Sequence, residues 1–120
     1  MTGTGSPSIT TADLSLRVSG LPMNVTGLYF AGSLAAAGGA GVPIGNGLRC
    51  VGGDITRIAK VPATQDGTSE LPGRGLPPIH QLIGATAGTT TYFQYWYRDS
   101  GGPCGANANM TNGLRVTRGI

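Results

Sequence analysis

Charged side chains are scarce in this chain of 120 residues. They make up 11% of it, about half the usual share, and Lys60 and Glu70 are its single Lys and its single Glu. A coiled coil or a helical bundle is rich in Glu, Lys, Ala and Leu at helical spacing, so this composition excludes both classes. The formal net charge of +3 is also too low for a disordered, highly charged tail.

Long apolar runs are absent as well. No segment approaches the ~20 apolar residues of a membrane-spanning helix, and glycines interrupt the most apolar segment, residues 28–42. The first residues lack the basic start and the apolar centre of a signal peptide. We therefore predict no membrane insertion. The polar start predicts a flexible lead-in or arm over residues 1–11, followed by a single domain over residues 12–120.

Glycine and proline are abundant, with 22 Gly and 8 Pro, and most of them separate segments in which apolar and polar residues alternate. Such alternation has the period of a half-buried β-strand. The dipeptide Asn46-Gly47 predicts a hairpin, because both residues tolerate the positive φ of a tight turn. The segments from Pro62 to Pro78 and over residues 107–112 predict polar loops. The predicted strands cover residues 12–18, 25–30, 48–51, 54–61, 89–98 and 114–117.

This order of strands and turns predicts an all-β fold. We expect an antiparallel β-sandwich, jelly-roll or Ig-like in size, with about six to eight short strands and Gly/Pro-rich loops. The two cysteines, Cys50 and Cys104, favour an exported protein with one disulfide, because their even count occurs in a chain poor in Lys and Glu. Two buried free thiols are the alternative. With no Cys-x-x-Cys pair and a single histidine, His80, the sequence predicts no metal site and no cofactor.

The basic residues are scattered along the sequence rather than clustered. A surface that follows a phosphate backbone usually carries Lys and Arg concentrated on one face, so we predict no nucleic-acid partner. The basic residues are Arg17, Arg49, Arg57, Lys60, Arg74, Arg98, Arg115 and Arg118.

The segment from Asp99 to Pro103, Asp-Ser-Gly-Gly-Pro, matches most of the motif around the nucleophile of chymotrypsin-like proteases. That serine needs a histidine base and a buried aspartate that orients the histidine. The only histidine, His80, lies shortly before Ser100 in a Pro-flanked segment, and Arg98 stands where the motif has glycine. The segment is also typical of a tight turn after a strand. We predict that the protein is not an enzyme.

The segment from Thr89 to Arg98 is the strongest predicted strand, because β-branched and aromatic side chains suit a pleated surface. Alternation puts Thr91, Phe93, Tyr95 and Tyr97 on one face and Tyr92, Gln94, Trp96 and Arg98 on the other. These rings either pack in the core or form an exposed platform that stacks on sugar rings. The candidate ligand-binding residues are Tyr92, Trp96, Tyr97 and Arg98.

Four motifs together resemble a known domain. They are Ser-Gly-Leu-Pro with Thr-Gly-Leu-Tyr-Phe-Ala-Gly (residues 19–32), Pro-Ile-Gly-Asn-Gly-Leu-Arg-Cys-Val-Gly-Gly (43–53), Tyr-Trp-Tyr-Arg-Asp (95–99) and Met-Thr-Asn-Gly-Leu (110–114). Over residues 12–117 the chain resembles a poorly characterised extracellular domain, usually C-terminal in exported proteins of planctomycetes and myxobacteria. The resemblance implies export and a non-catalytic, β-rich appendage. Family members often end in a further Cys-Pro, which this chain lacks, and that departure supports the pairing of Cys50 with Cys104.

We therefore expect a non-catalytic structural or interaction module that is extracellular or at the cell surface. Its expected partners are other protein subunits or copies of itself, because low charge, small residues and exposed strand edges favour strand addition. Residues 2–11 are a candidate arm for such self-association. The alternative is a carbohydrate-binding module that binds polysaccharide on the aromatic platform of residues 89–98.

Overall fold

Antiparallel β-strands form most of the structure, a computed structural model that describes residues 1–8, 13–44, 47–72, 76–99 and 108–119. The prediction of a β-rich fold is confirmed. In chain order the elements are β1 (Thr2–Thr4), β2 (Ser15–Val18), β3 (Gly27–Gly32), β4 (Leu34–Ala35), a 3-10 turn (Ala36–Gly39), β5 (Val42–Ile44), β6 (Gly47–Arg49), β7 (Val51–Gly52), β8 (Thr56–Lys60), β9 (Ser69–Leu71), α1 (Ile79–Ile83), β10 (Thr90–Arg98), β11 (Ala108–Met110) and β12 (Leu114–Thr117).

Strand β10 lies in the middle of the larger sheet. It consists mainly of Thr and aromatic residues, which suit a pleated and partly buried surface. β10 pairs with β3 along one edge, and along its other edge it pairs first with β12 and then with β11. β8 pairs with the far edge of β3. The order of the sheet is therefore β11-β10-β3-β8, with β12 also beside β10.

A three-stranded sheet with the order β1-β2-β9, which we call the smaller sheet, contributes to the same hydrophobic core as the larger sheet. The remaining pairs, β4 with β7 and β5 with β6, form two-stranded sheets. On β2, Leu16 and Val18 are buried and Arg17 between them is exposed, as alternation requires. Leu71 of β9 lies opposite Leu16 and is also buried. Burying a side chain of this size stabilises a fold by about 1.5–3 kcal/mol. The largest fully buried residues that share this core are Tyr29, Tyr95, Phe93, Leu16, Leu71, Ile79 and Val18.

Two tyrosine hydroxyls form hydrogen bonds inside this core. Tyr29 Oη donates to Ser69 Oγ at 3.0 Å. Ser69 Oγ and Tyr95 Oη both donate to the carbonyl oxygen of Val61, at 3.2 and 2.6 Å. The rings of Tyr29 and Tyr95 also contact each other, with centroids 4.6 Å apart. Burial raises the pKa of both tyrosines, because a phenolate is poorly solvated there.

Two strands lie in segments for which the sequence predicts loops. β9 lies within the predicted loop from Pro62 to Pro78, and β11 lies within the predicted loop over residues 107–112. Each has three residues, too few for alternation to be recognised. Each forms because a longer strand offers it a free edge, β2 for β9 and β10 for β11. The loop predictions are therefore wrong at Ser69–Leu71 and at Ala108–Met110, and the other described residues of both segments form no helix or strand.

The start of the chain belongs to the smaller sheet. β1 pairs with β2, with Thr2 opposite Arg17. The Met1 ammonium group donates to the side-chain oxygen of Asn112, and Asn112 Nδ2 donates to the carbonyl oxygen of Met1 at 3.0 Å. The segment predicted as a flexible lead-in thus begins as a paired strand, because its small residues let the backbone lie against β2. The later residues of the predicted arm, 9–12, lie outside the described residues.

The short apolar segment before Gly84 forms helix α1, which buries Ile79. The helix ends at Gly84, whose φ of 63° is left-handed and therefore favours glycine. In the described part of the chain, no helix is both long and apolar enough to cross a bilayer.

Cys50 lies between β6 and β7, is half-buried, and forms no disulfide within the described residues. Its predicted partner, Cys104, lies outside the described residues. The predicted disulfide is therefore not confirmed and stays a prediction.

Candidate functional site

The face of the larger sheet that is turned away from the core carries a row of four aligned side chains. Directly opposed residues on paired strands project from the same face. The register places Trp96 opposite both Leu28 and Met110, and it places Leu28 opposite Lys60. These four side chains form one row across β11, β10, β3 and β8. The row is about 14 Å long at the usual spacing of strands.

The neighbouring row is covered by the chain that runs from β6, in the β5–β6 hairpin, to β7, which pairs with β4. Gln94 lies opposite Phe30, and their exposed fractions are 0% and 5%. Gln94 Nε2 donates to the carbonyl oxygens of Leu48 and Thr111, at 2.7 and 2.6 Å. Gln94 Oε1 accepts the backbone N–H of Cys50 at 2.8 Å. Both donor positions and one acceptor position of the amide are used, two of these three bonds go to the chain that lies over Gln94, and the middle of the face is therefore closed.

Beside the hairpin, an open cleft of about 470 Å³ remains on this face, which we call the Trp96 cleft. Its volume lies in the range of small-molecule sites, roughly 300–1,000 Å³. Its lining combines apolar side chains with three cations. The described lining residues are Thr26, Gly27, Leu28, Phe30, Arg49, Ile55, Arg57, Lys60, Trp96 and Met110.

A β-bulge brings two of the cations into the cleft. The pairing of β3 with β8 shifts between Tyr29 and Phe30, which leaves Ile58 as an additional residue in β8. Strict alternation would put Arg57 and Lys60, three residues apart, on opposite faces. With the bulge, Arg57 and Lys60 both line the Trp96 cleft, while Ile58 packs against the core.

The cleft carries positive charge. Arg49, Arg57 and Lys60 line it. The guanidinium of Arg98 lies over the Trp96 ring, 4.9 Å from the ring centroid, in a cation–π contact. The structure describes all five Asp and Glu residues of the chain, and none of them is among the described residues that line the cleft.

The carboxylates have other surroundings. Glu70 lies 3.7 Å from Arg17 in the smaller sheet, which is the only ion pair in the described part of the chain. Asp99 accepts a hydrogen bond from Asn109 Nδ2 at 3.1 Å. Asp54 lines a separate cavity of about 270 Å³. Among the described residues, no carboxylate pairs with a cation of the Trp96 cleft.

Of the four predicted ligand-binding residues, the structure brings together Trp96 and Arg98. Tyr92 projects from the same face but lies beyond the hairpin, where it lines a third cavity of about 340 Å³. Tyr97 projects from the opposite face and packs against the core. Its ring stacks on that of Tyr95, with centroids 6.2 Å apart. Tyr92 and Tyr97 therefore do not share the site of Trp96.

Sequence patterns alone do not reveal the cations of this site. Arg49 is on β6 and Arg57 is on β8, so each is distant from Trp96 in the sequence. The basic residues look scattered along the chain, yet the fold gathers three of them at one cleft. Leu28 and Phe30 flank the buried Tyr29 and therefore project from one face of β3. This alternation is the one local feature of the sequence that indicates apolar side chains on the face of Trp96.

The other candidates for chemistry are not assembled in the described part of the chain. Ser100 to Pro103, the protease-like motif, lies outside it. His80 is half-buried on α1, and its Nδ1 has no hydrogen-bond partner among the described residues. Within the same residues, no group of three His, Cys, Asp or Glu side chains is placed to hold a metal ion.

Comparison of the chain with protein-family models, with curated proteins and with solved structures finds no match. The resemblance of residues 12–117 to an extracellular domain therefore stays a prediction.

Proposed function

We propose that this protein is a non-catalytic binding module and that its Trp96 cleft holds a carbohydrate. The observation that carries the proposal is the position of Trp96. Its ring lines the cleft and belongs to the central strand of the larger sheet, in line with Leu28 and Met110. A ring on a paired strand is held in place before a ligand arrives, so little conformational entropy is lost on binding.

The chemistry of the lining suits a sugar. A pyranose ring has apolar C–H faces that pack against an aromatic ring, and its hydroxyl groups accept hydrogen bonds from Arg and Lys at the edge. The lining offers both kinds of group, with Trp96 and Leu28 on the apolar side and Arg57 and Lys60 on the polar side. An apolar site with a few well-placed polar groups is the usual composition of a ligand pocket.

The absence of catalysis is part of the proposal. Glycoside hydrolysis uses two carboxylates on either side of the scissile bond. The described lining residues of the cleft include no Asp or Glu, which favours binding without cleavage.

The single tryptophan gives a direct measurement of binding. Because Trp96 is the only Trp in the chain, fluorescence that is excited at a wavelength absorbed by Trp but not by Tyr reports on this cleft alone during titration with soluble polysaccharides. We expect saturable changes in emission with at least one polysaccharide. Affinity electrophoresis then compares Trp96→Ala with Tyr92→Ala, an aromatic truncation on the same face outside the cleft. Trp96→Ala should abolish retardation and Tyr92→Ala should preserve it.

Two results would contradict this function. One is retardation that survives in folded Trp96→Ala, with folding checked by circular dichroism. The other is the absence of any emission change across neutral and acidic polysaccharides. If Trp96→Ala does not fold, Trp96→Phe keeps an aromatic ring in the cleft and should retain retardation.

The finer features of the fold are also proposals. The shared core of the two sheets favours a β-sandwich, and the even number of cysteines favours an exported protein with a Cys50–Cys104 disulfide. Mass spectrometry of the native protein with and without reductant tests the disulfide. Two free thiols in freshly purified protein would contradict both the disulfide and the argument for an extracellular location.

Self-association is the second candidate function, and the position of β8 favours it. β8 is the last strand in the order of the larger sheet among the described residues, so its outer edge is available to a strand from another copy. Ile55 next to it is 45% exposed. Light scattering at increasing concentration tests this function, and a monomer throughout would contradict it.

A further inference from the structure

We infer that the ligand of the Trp96 cleft is an acidic polysaccharide, a chain of sugar rings that carry carboxylate groups. This inference rests on the proposed function and specifies the class of sugar. It follows from the charges around the cleft rather than from its aromatic ring.

The charges that line the Trp96 cleft are unbalanced. Three cationic side chains, Arg49, Arg57 and Lys60, line one cleft, and the described lining residues include no carboxylate to neutralise them. Like charges that are held close together repel each other, and this repulsion destabilises the folded state. An anionic ligand removes the repulsion on binding. A neutral sugar leaves it in place.

The cations are also arranged to meet a sugar that lies on Trp96. Lys60 is at the end of the row that contains Trp96, and Arg57 follows on the same face because of the bulge in β8. Arg49 belongs to β6, in the hairpin that covers the middle of the face. The cations thus come from two different elements, while the apolar row extends between β8 and β11. A sugar ring on Trp96 has its carboxylate within reach of the side chains at the edge of the cleft.

One of the cations, Arg49, has a hydrogen-bond donor without a partner among the described residues. Arg49 Nε is buried and has no hydrogen-bond partner among the described residues. A buried donor without a partner costs free energy, on the order of 1–3 kcal/mol. The planar guanidinium matches the geometry of a carboxylate, which accepts two parallel N–H bonds. Nε is closed to a water-sized molecule in this structure, so a uronate carboxylate supplies the missing acceptor once the Arg49 side chain turns toward the cleft.

The decisive experiment uses two polysaccharides that differ only in charge, polygalacturonate and its fully methyl-esterified form. Titrations followed by Trp96 fluorescence at low salt should give affinity for the acid form that is about tenfold or more above that for the ester. Raising the NaCl concentration from about 50 to about 500 mM should weaken binding of the acid form only, because salt screens exposed charges.

Charge-removing variants locate the effect. Arg57→Gln and Lys60→Gln should each weaken binding of polygalacturonate about threefold to tenfold and weaken binding of the ester less, because Gln still donates a hydrogen bond to a sugar hydroxyl. The matched control is Arg17→Gln, which removes the same charge on the smaller sheet and should bind like the parent. Thermal melts confirm that each variant is folded. If a cleft variant does not fold, the salt dependence of the parent protein still tests the inference.

The outcomes separate the two proposals. Equal affinity for acid and ester, with equal effects of Arg57→Gln and Lys60→Gln on both, would overturn this inference and leave the proposed function intact. No binding of either polysaccharide would overturn both. Single-stranded nucleic acid that binds more tightly than polygalacturonate, and depends on Trp96, would overturn the choice of a sugar.

Discussion

Gln94 accepts the backbone N–H of Cys50 through Oε1 at 2.8 Å, while its Nε2 donates to two carbonyl oxygens. The buried amide of Gln94 therefore connects β10 to two segments: the chain over the sheet, at Leu48 and Cys50, and the chain beside β10, at Thr111. The sequence places Gln94 on the polar and aromatic face, and the structure keeps it there but covers it. This coverage divides the face into a Trp96 end and a Tyr92 end.

Gln94→Ala should destabilise the protein by about 2–4 kcal/mol. The substitution leaves one N–H and two C=O groups of the backbone without a partner and creates a cavity. Urea denaturation measures the free energy of unfolding. Gln65→Ala, at an exposed turn position, is the matched control and should change it by less than about 0.5 kcal/mol. Equal stabilities of the two variants would contradict the structural role of Gln94.

Stability should fall steeply at alkaline pH because of the buried tyrosines. Burial raises the pKa of Tyr29 and Tyr95 above the ordinary value of 10.0. The unfolded chain thus loses these protons first, so the contribution of each tyrosine is complete below about pH 10 and is lost as pH rises toward its folded pKa. Each tyrosine contributes a slope of up to about 1.4 kcal/mol per pH unit.

Chemical denaturation between neutral pH and pH 11 or so measures this slope. Tyr29→Phe should reduce it, and should cost about 1 kcal/mol at neutral pH by removing the hydrogen bond to Ser69. Gln65→Ala removes no titratable group at an exposed position and should keep the slope of the parent. An unchanged alkaline slope in Tyr29→Phe would contradict the assignment.

Gly27→Ala should destabilise the protein by about 3 kcal/mol or more. A Cβ at this position would lie 1.7 Å from Tyr95 Oη. The tyrosine cannot move away easily, because it is fully buried and donates to the carbonyl oxygen of Val61. Thermal or urea unfolding gives the effect. In Gly119→Ala, the new Cβ meets no atom within 4 Å in the described part of the chain, so its stability should match that of the parent within about 0.5 kcal/mol.

Removing a cation from the Trp96 cleft should not destabilise the free protein. Lys60→Gln relieves repulsion from Arg49 and Arg57, and we expect a stability equal to that of the parent or higher by up to about 0.5 kcal/mol at low salt. Arg17→Gln should act in the opposite direction, because Arg17 lies near Glu70, although an exposed pair contributes less than about 1 kcal/mol. Differential scanning fluorimetry at several salt concentrations compares them. A marked loss of stability in Lys60→Gln would show that the charge has a structural role.

The sequence was sufficient for the parts of the fold that local chemistry determines. Strand β10 and its two faces follow from β-branched and aromatic residues at a period of two. The predicted hairpin also forms, as β5 and β6, although Gly47 of the predicted turn is the first residue of β6. The same alternation along β10 places Trp96 and Arg98 on one face and makes them candidate ligand-binding residues. Cys104 and Ser100, on which two other predictions depend, lie outside the described residues.

The remaining features depend on contacts between distant segments. β9 and β11 are too short to be recognised, and they exist because β2 and β10 have free edges. The separation of Tyr92 from Trp96 requires the chain from β6 to β7 to cross the sheet, which alternation along β10 does not encode. The approach of Arg49 to the cleft depends on the β5–β6 hairpin.

The bulge at Ile58 also has a genetic consequence. In a regular strand, inserting or deleting one codon reverses the orientation of every side chain beyond the change. β8 absorbs its additional residue locally, so Lys60 on one side of Ile58 and Arg57 on the other both face the cleft. Excision of the Ile58 codon would bring Arg57 and Lys60 to the spacing that a regular strand needs for a shared face. Arg57 and Lys60 would therefore share the cleft face both in the present chain and in a chain that lacks Ile58.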